Sequence, residues 1–117
     1  MTQYVDCMVV PIKSDIKAAY LERARVEGEA FKRHGALKTI ELWGDDIPEG
    51  KNTSLPLAVK LKADETVVVG WIIWPDKATR DKGMETIVSD PLFADDQEVL
   101  FDGSRLIYGG FELLLET

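Results

Sequence analysis

The chain has little that would connect it to a disulfide framework or a membrane. Its single cysteine, Cys7, cannot form an intrachain disulfide, which favours a reducing compartment. No stretch reaches the ~18 apolar residues that cross a bilayer, and residues 1–13 lack a basic segment followed by an apolar one. We therefore expect a cytoplasmic protein with no membrane contact.

Positive charge is also scarce. Fourteen Lys and Arg residues stand against twenty-one Asp and Glu residues, which gives a formal net charge of -7. The resulting negative electrostatic field repels phosphate backbones and anionic lipid surfaces, so we do not expect nucleic acid as a partner. The acidic residues are spread along the chain, as is typical of a solubilising surface.

Histidine and the familiar catalytic motifs are equally sparse. His34 is the only histidine, and no cysteine cluster or acidic spacing motif accompanies it, so we expect neither a metal site nor haem. The chain has no GxGxxG, P-loop, nucleophile elbow or triad spacing. We expect no cofactor.

What remains is the composition of an ordinary globular domain. The chain has 117 residues, of which 45% are apolar and 30% charged, and no low-complexity tract interrupts it. One core is the expectation for this length, so residues 1–117 are predicted to form a single domain.

Residue patterns and turn residues predict the order β-α-β-(β)-β-α-β, in which the parenthesis marks a short additional strand. This is the split βαβ arrangement of an α+β fold, a ferredoxin-like βαββαβ sandwich with an antiparallel sheet and both helices on one face. The predicted elements are strand Tyr4–Ile12 ending at Pro11, helix Asp15–His34, strand Ala36–Gly44, short strand Leu55–Leu61, strand Glu65–Trp74, helix Asp76–Asp90, a loop over Pro91–Ser104 and strand Arg105–Leu115.

The strand sequences also predict self-association. Val67–Trp74 and Leu113–Leu115 are apolar at consecutive positions, so they offer both faces of the sheet for burial. Two helices can cover only one face, and an exposed apolar patch usually marks an interface. We expect a homodimer in which the two sheets face each other.

Several segments resemble the YbaA-like family of uncharacterised proteins, the domain of unknown function numbered 1428, over nearly the whole chain. The most specific pieces are the WGDD-P-GK segment and the FDG-R-IYGGFE ending. The segments are YVDCMVVPI, FKRHGALKTIELWGDDIPEGK, WIIWPDKATRDKGM, SDPLF and FDGSRLIYGGFE.

The resemblance implies the dimeric α/β-barrel superfamily, in which two ferredoxin-like subunits join their sheets into a barrel. It implies no established activity, because relatives in that superfamily include cofactor-free monooxygenases, haem enzymes, lactone isomerases and stress-induced proteins. Two features depart from the family's usual pattern. Cys7 stands where the family tends to have glycine, and the inward stripe of the first helix carries Arg23, Glu27 and His34.

These three residues align with Ile16 and Tyr20 on one face of the helix. One interpretation is a solvated stripe with an i,i+4 ion pair between Arg23 and Glu27. The other is a small-molecule cavity between helix and sheet, in which His34 is the candidate catalytic acid or base. For His34 itself, the alternative is a histidine that stabilises the end of the helix.

The candidate ligand-binding residues combine this stripe with strand residues and large aromatic side chains. The aromatic residues could stack on a flat ligand, or they could belong to the core or to a dimer interface. The full candidate set is Tyr20, Arg23, Glu27, Glu41, Trp43, Trp74, Arg105 and Tyr108.

Three functional hypotheses follow. The first is a cytoplasmic homodimer that binds a small molecule between sheet and helices. The second is a cofactor-free monooxygenase or isomerase acting on an aromatic or quinone-like compound, with His34 as proton shuttle. The third is a stress-associated interaction dimer without a ligand.

Overall fold

The computed structural model describes residues 2–93 and 99–117. The elements are β1 (Tyr4–Lys13), α1 (Lys17–Arg33), β2 (Lys38–Trp43), α2 (Leu55–Ala58), β3 (Glu65–Trp74), α3 (Lys77–Ile87) and β4 (Ile107–Glu112). The four strands form one open antiparallel sheet in the order β2-β3-β1-β4. This is the order of a ferredoxin-like fold, and the α+β class is confirmed.

The pairing of β1 with β3 forms the centre of the sheet. It runs for the full length of both strands, from Tyr4 opposite Trp74 to Lys13 opposite Glu65. The bounds of β3 are those predicted, because ETVVVGWIIW is a continuous run of residues that favour strands. The predicted strand Ala36–Gly44 is shorter, as β2, and the predicted strand Arg105–Leu115 is shorter, as β4.

The prediction that the first strand ends at Pro11 was wrong. β1 continues through Pro11 to Lys13, although proline cannot donate a hydrogen bond to a neighbouring strand. The partner strand β4 pairs only with Tyr4 to Val9, so Pro11 lies beyond the part of β1 that is flanked on both sides. A missing donor is tolerated at such a position.

The predicted short strand at Leu55–Leu61 was also wrong, because residues Leu55–Ala58 form the single helical turn α2. The side chain of Ser54 accepts a hydrogen bond from the backbone N–H of Leu57 at 3.0 Å, and Pro56 lies in the first turn. Both are typical of a helix start. This local signal outweighed the apolar composition on which the strand prediction rested.

The two long helices were predicted with small errors at their ends. A 3-10 turn over Ser14–Ile16 precedes α1, and Gly35 follows it with φ of +113°, a conformation that glycine adopts without strain. Asp76 begins α3 by accepting a hydrogen bond from the N–H of Thr79 at 2.7 Å. The predicted loop Pro91–Ser104 contains short 3-10 turns at both ends, and its residues 94–98 lie outside the described residues.

The two long helices, α1 and α3, lie on one face of the sheet and bury two groups of side chains there. The larger group joins β1, β3 and α1, and the smaller one surrounds Trp74. The buried members are Val10, Ile12, Tyr20 and Val68 in the first group and Tyr4, Ala36 and Trp74 in the second.

No helix within residues 2–93 and 99–117 is long and apolar enough to cross a membrane.

Gly83 allows α3 to pack directly against the fully buried Trp74. A Cβ atom at residue 83 would lie 2.5 Å from the indole ring and 2.6 Å from the backbone oxygen of His34. Neither neighbour can move easily, because Trp74 is fully buried and the oxygen belongs to the main chain.

We therefore predict that Gly83→Ala destabilises the fold by about 1–3 kcal/mol through overpacking, although alanine is the better helix former by about 1 kcal/mol. The measurement is urea unfolding followed by circular dichroism. Gly103→Ala is the matched control, because a Cβ there meets no atom of residues 2–93 and 99–117 within 4 Å. Equal stability of the two variants would contradict the close packing of α3.

Candidate functional site

A cleft of about 760 Å³ opens on the face of the sheet that carries the helices. The helices leave β4 uncovered on this face, where Tyr108 is 82% exposed. Most side chains around the cleft are apolar, and a few polar groups converge on it. The apolar ones include Met8, Ala24, Phe31, Ile72, Met84, Leu92, Phe101 and Leu106.

The polar end of the cleft is built by Tyr20 of α1 and Glu41 of β2. The Tyr20 hydroxyl donates a hydrogen bond to Oε1 of Glu41 at 2.7 Å. Desolvation raises the pKa of Glu41, although part of its side chain remains exposed; the tyrosine hydrogen bond partly offsets this effect. Burial, followed by the charge of Glu41, raises the pKa of Tyr20 well above its usual range, so the hydroxyl keeps its proton.

Two further charged residues of α1, Arg23 and Glu27, lie at the same end. Both are half-buried and line the cleft, because residues three and seven positions after Tyr20 return to the same helix face. Burial raises the pKa of Glu27, and the charge of Arg23 opposes that rise. The charge of Glu27 in turn raises the pKa of Glu41, so the two carboxyl groups interact at this end of the cleft.

Glycine at position 70 makes room for the Glu41 carboxylate. The register places Glu41 directly opposite Gly70 on β3. A Cβ atom at residue 70 would lie 2.5 Å from Oε2 of Glu41 and 3.0 Å from Cε of Met8. The second carboxylate oxygen therefore lies over the backbone of Gly70, next to the side chain of Met8.

A second polar group lies near α3 and was not predicted from the sequence. Asp6 of β1 accepts hydrogen bonds from Nε1 of Trp74 at 2.9 Å and from Arg80, whose NH2 group is 2.8 Å away. Arg80 also lies over the ring of Tyr4, 5.0 Å from its centre. An aspartate within the apolar strand YVDCMVV was the available signal, but its partner is 74 residues away.

Five of the eight predicted ligand-binding residues line the cleft: Tyr20, Arg23, Glu27, Glu41 and Tyr108.

The other three candidate residues are not among the described residues that line the cleft. Trp43 packs against Tyr20, with ring centres 6.4 Å apart, and lies below the ammonium group of Lys17. Trp74 belongs to the buried group beside α3. Arg105 donates to both carboxylate oxygens of Glu65 at 2.7 Å. That pairing lowers the pKa of Glu65 to about 2, so Arg105 joins the last loop to the start of β3.

His34, the candidate acid or base, also lies away from the cleft lining. It follows the last residue of α1, where its Nδ1 is 2.8 Å from Oγ1 of Thr86 and its Nε2 is 3.1 Å from Oδ2 of Asp90. The ring thus connects the end of α1 to the end of α3. Within residues 2–93 and 99–117, no three His, Cys, Asp or Glu side chains are grouped closely enough to hold a metal ion.

The strand order and the open cleft define a ferredoxin-like α+β protein. The chain belongs to the family described as protein of unknown function (DUF1428), whose model matches residues 3–103. Uncharacterised protein YbaA of Escherichia coli K12 is 43% identical over 115 residues, which cover 97% of this chain and 98% of YbaA. The resemblance to the YbaA-like family is thereby confirmed.

Solved structures support the same fold at low sequence identity. A dimeric ferredoxin-like protein from an uncultured marine organism aligns with a TM-score of 0.59 at 14% identity, over 100% of both chains. A putative antibiotic biosynthesis monooxygenase from Bacillus cereus aligns with a TM-score of 0.54 at 10% identity, over 100% of this chain and 98% of that one.

We predict that two single substitutions shift the pKa of Glu41 in opposite directions. Tyr20→Phe should raise it further, because the hydrogen bond to the ionised carboxylate is lost. Glu27→Gln should lower it, because a nearby negative charge is removed. The measurement is an NMR pH titration of the Glu41 carboxyl carbon. Glu29→Gln, an exposed change on the same helix, is the control, and shifts of the same sign in both variants would contradict the described geometry.

Proposed function

We propose that this protein is a single-domain cytoplasmic homodimer that binds a small, mostly apolar organic molecule in the cleft. The observation that carries the proposal is the cleft itself. Its volume of about 760 Å³ lies within the ~300–1,000 Å³ typical of ligand pockets, which are mostly apolar with a few convergent polar groups. The group around Glu41 supplies that polar end.

The dimer is supported by the face of the sheet opposite the helices. At one end of this face Pro11 and Val67 are fully buried, but towards the other end apolar side chains are only partly covered. Such a continuous apolar surface is typical of an interface, and a second sheet is flat and apolar enough to cover it. The partly covered residues are Val5, Val9, Ile40, Leu42, Val69, Trp71, Ile73, Ile107 and Phe111.

We predict that the protein is a dimer at low micromolar concentration and that Phe111→Glu converts it to a monomer. Phe111 is 56% exposed in one protomer, so a charge there is compatible with folding but not with burial against a second sheet. Native mass spectrometry and sedimentation velocity measure the subunit count. Leu21→Glu is the control, because Leu21 is similarly exposed but lies on α1. A monomeric wild-type protein would overturn the proposed dimer.

Ligand binding predicts thermal stabilisation in a metabolite screen. A ligand that binds only the folded state at about 100 times its Kd adds roughly 2.7 kcal/mol to the free energy of unfolding. Ala24→Phe places a large side chain in the cleft and should remove the stabilisation, whereas Ala19→Phe on the exposed side of α1 should retain it. If no compound raises the melting temperature, the interaction dimer without a ligand is the better explanation.

A second candidate is the monooxygenase or isomerase acting on an aromatic or quinone-like compound. The observation that favours it is the group of titratable side chains, Tyr20, Glu27 and Glu41, at one end of a cleft with aromatic residues in its walls. His34 contacts Thr86 and Asp90 instead, so this candidate requires a different proton carrier.

A further inference from the structure

Glu41 occupies the position that a base acting on a cleft ligand would need. Its backbone lies in a paired strand, and Tyr20 fixes one of its two carboxylate oxygens by a hydrogen bond of 2.7 Å. The other oxygen lies over Gly70 beside the side chain of Met8, and Glu41 lines the cleft. The carboxylate is thus held by a hydrogen bond at the lining of the cleft, where a bound molecule would meet it.

The surroundings also strengthen Glu41 as a base. Partial desolvation in the cleft makes the Glu41 carboxylate accept a proton more readily, and the negative charge of Glu27 adds to this effect. Tyr20 remains protonated and serves as a donor to Glu41. Tyr20 is therefore a positioning residue.

The walls define the shape of molecule that would be presented to this base. Phe31 and Phe101 line the cleft together with Met8 and Ile72, and Tyr108 lies at its exposed side. Flat apolar molecules are favoured by such walls, because aromatic rings stack on flat surfaces.

We propose that Glu41 is a general base that removes a proton from carbon in a flat, apolar carbon acid bound in the cleft. This inference rests on the proposed ligand-binding function and deepens it. The C–H bond breaks, its electron pair remains on the ligand, and the proton moves to the Glu41 carboxylate. Return of that proton to a second carbon completes an isomerisation, which requires no oxidant, reductant or co-reactant.

The test uses 5-nitrobenzisoxazole, a flat probe whose isoxazole ring opens when a base removes the proton at C3. The C–H electron pair forms the nitrile, the N–O bond breaks, and the coloured 2-cyano-4-nitrophenolate is released. General-base catalysis is typically worth ~10²–10⁴-fold. We therefore expect Glu41→Gln to lower kcat/KM at least tenfold relative to wild type, with a similar loss in Glu41→Asp, in which the carboxylate is drawn back.

Two matched variants separate this assignment from general effects. Glu29→Gln makes the same chemical change at an exposed position of α1, and His34→Ala removes the only histidine. Both should retain the wild-type rate. Loss of turnover in His34→Ala with a normal rate in Glu41→Gln would overturn the assignment and support the histidine hypothesis.

The pH profile tests the role of Tyr20. The rate should rise with pH as Glu41 loses its proton and then level off, and Tyr20→Phe should shift the rise to higher pH. The charged groups that bear on this titration are Glu27 and Arg23 on α1 and the Asp6–Arg80 pair at the other side of the cleft. A profile that Tyr20→Phe lowers uniformly without shifting would contradict positioning through Glu41.

The outcomes also separate this inference from the proposed binding function. If the probe raises the melting temperature but wild type and Glu41→Gln turn it over equally, the assignment of Glu41 as the base is wrong. The proposed ligand-binding function of the cleft is then still supported. If the probe neither binds nor reacts, the class of flat carbon acids is wrong, and the metabolite screen decides independently whether the cleft binds another ligand.

Discussion

The pairing of β1 with β3 is the constraint on which the rest of the molecule depends. All ten residues of each strand take part, so the register fixes which side chains share a face from Tyr4 and Trp74 to the far end. Both strands are apolar on both faces, whereas α1 and α3 lie on one face only. A covered core and an apolar face that is only partly covered therefore arise from the same ladder, and the proposed dimer is a consequence of it.

The cleft follows from incomplete cover on the helix side. The helix α3 is held at one corner by the contact of Gly83 with Trp74 and by the ion pair of Arg80 with Asp6. With α3 in that corner, the helix face of β4 stays open and the inward stripe of α1 borders a cleft along part of its length. Charged residues on that stripe are tolerated because they face this cleft and interact with one another.

Local sequence signals predicted most of the fold. The run of strand-forming residues in β3, the Asp76 cap and Gly35 after α1 each act within a few residues, so pattern and composition are sufficient to find them. The errors came from competing signals or distant partners. The Ser54 cap outweighed apolar composition in α2, and the short reach of β4 allowed Pro11 to remain in β1.

The candidate site was only half predictable for the same reason. Helical spacing placed Tyr20, Arg23 and Glu27 on one face, which needs no knowledge of the rest of the chain. His34 continues that spacing, but the helix has ended at Arg33, so its ring turns to α3 and contacts Asp90 instead of the cleft. Conversely, the position of the Glu41 carboxylate depends on Gly70, its partner across the β2–β3 ladder, and on the hydrogen bond from Tyr20 of α1. The chemistry available to this protein therefore depends on where the helix ends and on which strand residue lacks a side chain.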